Sequence, residues 1–311
     1  MTTELVSIII PTFNRIHGLE NAIKSALSQD YKNIELIIVN DNKKDILPQK
    51  LITQLNDPRI VFLYNQRERG ANGSRNTGII NSRGKYIAFL DDDDEYLKQK
   101  ISESFCFIKN NQTFEACVSN FLYEYRNNWF TSNIEKKNPT VENLLTGKLE
   151  FGFGSNLFVN RATLFDVGLW NESLYRQQDL ELMVRLLKKA KMGIIPLPLI
   201  KIHGHNGMPD PTVVEKEKKK YIKIIKKDIE NLPHKSKNLF LALQYRELAL
   251  LFGNDGHLKK MFFYLIKSLK YKLLNPTKYV IYALIILNYY VKIDLRSYWN
   301  KLRYKIKFRK L

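Results

Sequence analysis

The chain has 311 residues, 44% of them hydrophobic, with 50 Lys and Arg against 31 Asp and Glu. That suffices for one large domain, or for a domain of about 200 residues with an appendage, and the aromatic content and regular apolar runs exclude a disordered chain. Two cysteines, Cys106 and Cys117, exclude a disulfide framework and a CxxC metal site, which points to a reducing, cytoplasmic compartment.

The charge is uneven. Residues 1–211 hold 26 basic and 24 acidic side chains, a net of +2, whereas residues 212–311 hold 24 and 7, a net of +17. The first region has the balance of an ordinary soluble enzyme, and the second suits a polyanionic partner. Two regions, 1–211 and 212–311, are therefore expected, joined near Pro209–Pro211. The opening MTTELVSIII lacks a basic n-region and a small-residue cleavage site, so no secretory signal is expected.

In chain order, VSIIIP (Val6–Pro11) is a β-branched run of the kind buried on both faces of a sheet. Leu19, Ala22, Ile23, Ala26 and Leu27 follow at helical spacing. IELIIV (Ile34–Val39) is a second buried strand ending at Asn40-Asp41. A short helix is expected over Leu47–Leu55, with Pro48 in its first turn. A third strand is expected over Ile60–Tyr64, and Gly70–Ile80 is expected as a Gly-rich turn leading into a short helix. A fourth strand, Tyr86–Leu90, runs directly into Asp91-Asp92-Asp93-Asp94. Alternating strands and helices imply an α/β fold with a mostly parallel sheet, whose ligands sit beyond the carboxyl ends of the strands. Thr12, Asp41 and Asp91 onward fall at those ends.

Four consecutive carboxylates repel one another unless a cation joins them. In an extended stretch Asp91 and Asp93 would share one face, Asp92 and Asp94 the other. Hard oxygen ligands of this kind suit Mg²⁺ or Mn²⁺ shared with phosphate oxygens; an acidic helix N-cap is the plain alternative. Neither GxxxxGK[ST] nor GxGxxG is present, so a nucleotide would have to be held through a metal and its diphosphate.

SIIIPTFNR (Ser7–Arg15), IELIIVND (Ile34–Asp41), GSRNTGI (Gly73–Ile79), GKYIAFLDDDD (Gly84–Asp94) and QQDLELMVRL (Gln177–Leu186) together resemble glycosyltransferase family 2, of GT-A fold, over residues 4–205. The resemblance implies an inverting transfer of a sugar from a UDP-sugar to a hydroxyl of a glycan or lipid-linked oligosaccharide, in cell-surface polysaccharide synthesis. Pro11, Thr12 and Arg15 would line the nucleotide pocket and Asp41 would contact the uracil. Arg75 would lie near the base, Asp91 and Asp92 would face the ribose and diphosphate, and Asp93 would hold Mn²⁺ or Mg²⁺. Asp179 would be the catalytic base; its position also suits a helix N-terminal carboxylate. Gln178 stands where the family usually has Glu and bears on the acceptor side. His203, with His205 competing, is nominated as a further group on the metal or diphosphate. Trp170 is either a sugar platform on the acceptor side or a core aromatic. A sugar-1-phosphate nucleotidyltransferase, or a basic binding protein with an inactive transferase domain, would be the competing functions.

The last hundred residues read as helices: Glu215–Glu230, Leu239–Phe252, Leu258–Leu269, and the uncharged Tyr279–Val291. That last stretch would span roughly 20 Å, short of the ~30 Å hydrocarbon thickness. The tail Lys301–Leu311 interleaves six basic residues with Leu302, Tyr304, Ile306 and Phe308. Basic and aromatic residues together suit an anionic membrane surface, so a peripheral position on the cytoplasmic face of the membrane is expected and nucleic acid is not; nucleic-acid binding and a solvated charged tail are the competing readings.

Overall fold

The computed structural model describes residues 3–125, 128–134, 139–149, 151–152, 154–204, 209–272 and 280–291. The chain divides into two compact units: residues 1–144 with 149–205, and residues 145–148 with 206–311. The tail 298–311, Tyr279 and His205 lie outside the described residues.

The first unit begins as β1 (Val6–Thr12), α1 (Ile16–Leu27), β2 (Ile34–Asn40), α2 (Leu47–Leu55), β3 (Ile60–Tyr64), α3 (Ala71–Asn81) and β4 (Tyr86–Phe89). β1 pairs in parallel with β2 and with β4, and β2 with β3. Every residue of β1 and β2 is buried, which is why both read as unbroken apolar runs. The chain goes on through β5 (Glu95–Tyr96), α4 (Lys100–Asn110), β6 (Ala116–Tyr125), β7 (Asn128–Thr131), α5 (Val141–Leu145), a 3₁₀ turn at Gly154–Asn156, β8 (Phe158–Asn160), α6 (Arg161–Val167), α7 (Gln178–Lys189) and β9 (Met192–Ile202). Among the described residues nine strands form one sheet in the order β3-β2-β1-β4-β8-β6-β9-β5, with β7 on β6. The second half is mixed: β8 runs antiparallel to β4 and β6, β5 to β9 and β7 to β6, whereas β9 is parallel to β6.

Two local features open the sheet at its centre. The ladder of β1 with β4 stops at Ile9–Phe89, so Pro11, which has no N–H, falls where that side of β1 has no strand partner. The chain leaving β4 turns there instead of extending: the Asp94 amide donates to the Asp91 carbonyl at 3.1 Å. The expected alternation of the four aspartates along an extended strand is therefore corrected. In a turn their carboxylates do not divide between two faces.

The second unit is helical: α8 (Pro211–Ile224), α9 (Lys226–Glu230), α10 (His234–Asn254), α11 (Leu258–Tyr271) and α12 (Val280–Val291). Val214, Leu248, Ala249, Phe252, Met261, Tyr264, Tyr282 and Ile285 form its core. No helix among the described residues is long and apolar enough to cross a membrane.

Candidate active site

The site of the first unit is assembled from the ends of β1, β2 and β4, the buried face of α3, the 3₁₀ turn and the start of α7. Gly18 of α1 leaves room for the acidic turn. A Cβ there would lie 2.4 Å from the Asp92 carbonyl oxygen, so no side chain fits.

Each aspartate of the turn has its own partners. Thr12 Oγ1 donates to Asp92 Oδ2 at 2.8 Å, and Arg15 Nη1 reaches Asp92 Oδ1 at 3.4 Å and also pairs with Asp93. Arg75 Nη2 donates to Asp91 Oδ1 at 2.5 Å. Ser155 Oγ donates to Asp94 Oδ2 at 2.7 Å and accepts from the Asp91 amide at 2.9 Å. Burial, opposed by the Thr12 hydroxyl and abetted by Asp93, pushes Asp92 up to about 6. Burial and then the Asp91 charge raise Asp94 well above the usual carboxylate range.

Asp91, Asp93 and Asp94 each present an oxygen within 4.8 Å of the others'. Three crowded carboxylates, with Asp94 raised by burial and by the neighbouring charge, form a donor set that a hard divalent cation would relieve, so these residues fit Mg²⁺ or Mn²⁺. The structure groups Asp94, and Asp91 that was expected toward the ribose and diphosphate, with the expected Asp93, and does not bring His203 into the group. Both ring nitrogens of His203 are occupied, Nδ1 at 2.8 Å from Glu124 and Nε2 at 3.0 Å from Glu95. The His203 backbone amide is what reaches the turn, donating to Asp94 Oδ1 at 3.1 Å.

Asp41, at the end of β2, accepts from Asn65 Nδ2 at 2.6 Å and from the Gly70 amide at 2.9 Å, tying β2 to the start of α3. Asn72, Ser74, Arg75, Asn76 and Thr77 of α3 are all buried although polar. Asn76 exchanges two hydrogen bonds with the Trp170 backbone, at 2.9 and 3.0 Å, and Asn72 holds the carbonyls of Asn171 and Leu174 at 2.8 Å. Arg75 faces inward beside Asp91 and Asp179, so the structure sets it against the carboxylates and not beside Asp41. Burial works against its charge, but Asp91 and Asp179 outweigh it and raise its pKa.

Trp170 is only 3% exposed. The Arg75 guanidinium lies 4.6 Å from its ring centre and Phe89 meets it edge-on at 5.3 Å. The sugar-platform reading of Trp170 is corrected: its ring is core and supports Arg75.

Asp179 is the second residue of α7, whose entry is strained, with Gln177 at φ 60°. Buried Oδ1 of Asp179 and buried Oε1 of Gln178 have no hydrogen-bond partner among the described residues. Burial, countered by Arg75, pushes Asp179 up to about 6. Gly154 closes over this group. A Cβ on it would stand 3.0 Å from Asp179 Oδ1, 3.3 Å from the Trp170 ring and 3.4 Å from Arg75 Nη2. Ser155, Gly154 and Asn65 are site residues that the sequence did not single out by role.

A parallel β/α half-sheet whose strand ends carry a carboxylate turn, continued by a mixed half-sheet, is the architecture of the GT-A fold. The profile of Glycosyl transferase family 2 matches residues 7–167, and the chain belongs to that family. An uncharacterized glycosyltransferase of Rickettsia conorii is 31% identical over 223 residues, 66% of this chain but only 34% of the relative's length. The Campylobacter jejuni GalNAc(5)-diNAcBac-PP-undecaprenol β-1,3-glucosyltransferase is 33% identical over 198 residues, 61% of this chain and 62% of its own. Escherichia coli WfaP, a UDP-Glc:α-D-GlcNAc-diphosphoundecaprenol β-1,3-glucosyltransferase, is 40% identical over 121 residues, 39% of this chain and 47% of its own. Among solved structures, Staphylococcus aureus TarS 1–349 with UDP-GlcNAc superposes with a TM-score of 0.59 at 12% identity, over 87% of this chain and 93% of the other. The Pyrobaculum calidifontis mannosyltransferase with GDP-Man and Mn²⁺ gives 0.57 at 15% identity, over 100% of this chain and 89% of the other.

Proposed function

We propose that the protein is an inverting glycosyltransferase that moves a sugar from a UDP-sugar to a hydroxyl of a glycan or lipid-linked oligosaccharide in cell-surface polysaccharide synthesis. It works from the cytoplasmic face of the membrane as a peripheral protein. The observation that carries this reading is the pairing of two different acids across Arg75: a cation-ready turn at Asp91–Asp94, and Asp179 with a buried, unpartnered oxygen and a raised pKa. Environments that push carboxylates into separate roles are the mark of acid–base sites. The linkage in the names of the two bacterial β-1,3-glucosyltransferases supports inversion, because a UDP-hexose donor carries its sugar in the α configuration.

Pro11, Thr12, Arg15 and Asp41 bind the nucleotide end, with Asp92 fixed by Thr12 toward the ribose. Asp91, Asp93 and Asp94 would hold Mn²⁺ or Mg²⁺, which offsets the charge that grows on the diphosphate as it leaves. Asp179 takes the proton of the acceptor hydroxyl while the oxygen of that hydroxyl bonds to the anomeric carbon. The bond from that carbon to the diphosphate breaks, and its electron pair leaves with UDP. Gln178 and the segment held by Asn76 border the acceptor.

Titration calorimetry of UDP with Mn²⁺ and with EDTA tests the donor half; equal affinities would overturn it. The base is tested by UDP release from UDP-glucose with a soluble N-acetylglucosaminide as acceptor. Asp179→Asn should keep UDP affinity and lose about 10²–10⁴ in transfer rate. Transfer at the wild-type rate would remove Asp179 from this role.

A further inference from the structure

The solvent face of α11 is unlike that of an ordinary surface helix. Each residue advances a helix by about 100°, which places Leu269, Phe262, Ile266, Lys259, Lys270 and Phe263 within one sector of about 120°. Within it Leu269 is 38% exposed, Phe262 44%, Phe263 51% and Ile266 66%. Single exposed apolar residues are common on soluble proteins, but four large ones on one helical stripe are a patch. The opposite stripe is fixed: Met261 and Tyr264 are in the core of the unit, and Ser268 Oγ donates to the Ala242 carbonyl at 2.8 Å. The exposed stripe therefore belongs to a packed helix.

The charges interleaved with it have one sign. α11 contains Lys259, Lys260, Lys267 and Lys270 and no acidic residue. Lys267 Nζ lies over the Phe263 ring, 4.4 Å from its centre, so a cation sits directly against the apolar stripe. Two copies of this face would oppose lysine with lysine. A nucleic acid would find rings for base stacking in Phe262 and Phe263 but none at the aliphatic Ile266 and Leu269, the first of which is the most exposed apolar residue of the stripe. An anionic bilayer satisfies both halves of the pattern, with acyl chains for Phe and Ile and headgroup phosphates for the lysines.

We infer that the solvent face of α11, Phe262, Phe263, Ile266 and Leu269 with Lys259, Lys267 and Lys270, is the surface on which the protein lies against an anionic lipid bilayer. The inference rests on the peripheral membrane position proposed above and gives it a location other than the tail 298–311.

Co-flotation of the full chain with vesicles of phosphatidylglycerol and phosphatidylcholine tests it, with phosphatidylcholine alone as the comparison. The wild type should float with the anionic vesicles, less at high salt. Phe263→Ser with Ile266→Ser should weaken binding about tenfold or more. Lys259→Gln with Lys270→Gln, which leaves the apolar residues in place, should also weaken it and flatten the salt dependence. UDP affinity should stay unchanged in every variant, since none touches the donor site. Unaltered flotation of both variants, with loss only on removal of residues 298–311, would overturn the role of α11 while leaving the peripheral reading intact. Failure of the wild type to float would overturn both. A change in sedimenting mass of the variants without a change in flotation would overturn it in favour of self-association.

Discussion

At the scale of single residues the site turns on how three groups share charge. Arg75 is buried and stands between Asp91 and Asp179, and its guanidinium is oriented by the Trp170 ring beneath it. Asp179 keeps a carboxylate in a place that favours the neutral acid, with a pKa near 6. A base must be ionised to act, so transfer should be weak below pH 6 and rise to a plateau above it. A pH profile of kcat/KM checks this, and a flat profile between pH 5 and 8 would contradict it. The stability consequence has the opposite sign. The folded state binds this proton more tightly than the unfolded chain, so Asp179 costs stability as the pH climbs through about 6. Asp179→Asn should therefore melt higher than wild type at pH 8, by about 2–4 °C, while losing transfer. Thr12, Asp41 and the four aspartates were legible because their position after buried runs places them at strand ends. Trp170 and His203 were not. Whether a ring is core or platform, and which nitrogens of an imidazole are spent, depends on partners such as Arg75, Glu95 and Glu124 that come from distant parts of the chain.

At the scale of elements, β1 and β2 were readable from residue type alone, since a strand buried on both faces needs no alternation, and the half-buried β3 was readable as a β-branched and aromatic run. α3 was readable as a helix, but its polar content gave no sign that its side chains are buried, for they bond to loop carbonyls far along the sequence. Of the strands of the second half, β5 and β8 escaped because they have two and three residues, too few to carry a period. In the second unit, Glu215 of α8 ties that helix to α11. It accepts from Lys219 and from Lys260, the latter at 3.3 Å, and also from Tyr264. Burial opposes its charge, but these donors prevail and bring it from the ordinary 4.5 to about 2. A depressed folded-state pKa contributes stability that is present above about 4.5 and lost as the pH falls toward 2. Glu215→Gln should lower the melting temperature at pH 7 and narrow the gap to wild type at pH 3. Circular dichroism melts at the two pH values check this, and an equal gap at both would refute it.

At the scale of the molecule, the break in composition near Pro209–Pro211 and the division into compact units do not coincide along the sequence. Residues 145–148 belong with the second unit although they lie inside the first by sequence. Leu145 and Thr146 are each 5% exposed. A chain ended at residue 211 would strip that segment of its companions, so it should melt several degrees below the full chain and aggregate sooner; matching melts would count against the division. The same segment bears on how the chain is made. Leu145 leaves the ribosome long before α8 is synthesised, and the unit it joins can close only once the last hundred residues have followed. Closing so wide a loop carries an entropic cost that grows slowly with its length, and contacts between distant parts of a sequence form late. The interval between making residue 148 and making the helices that receive it is when a chaperone would find the most to hold.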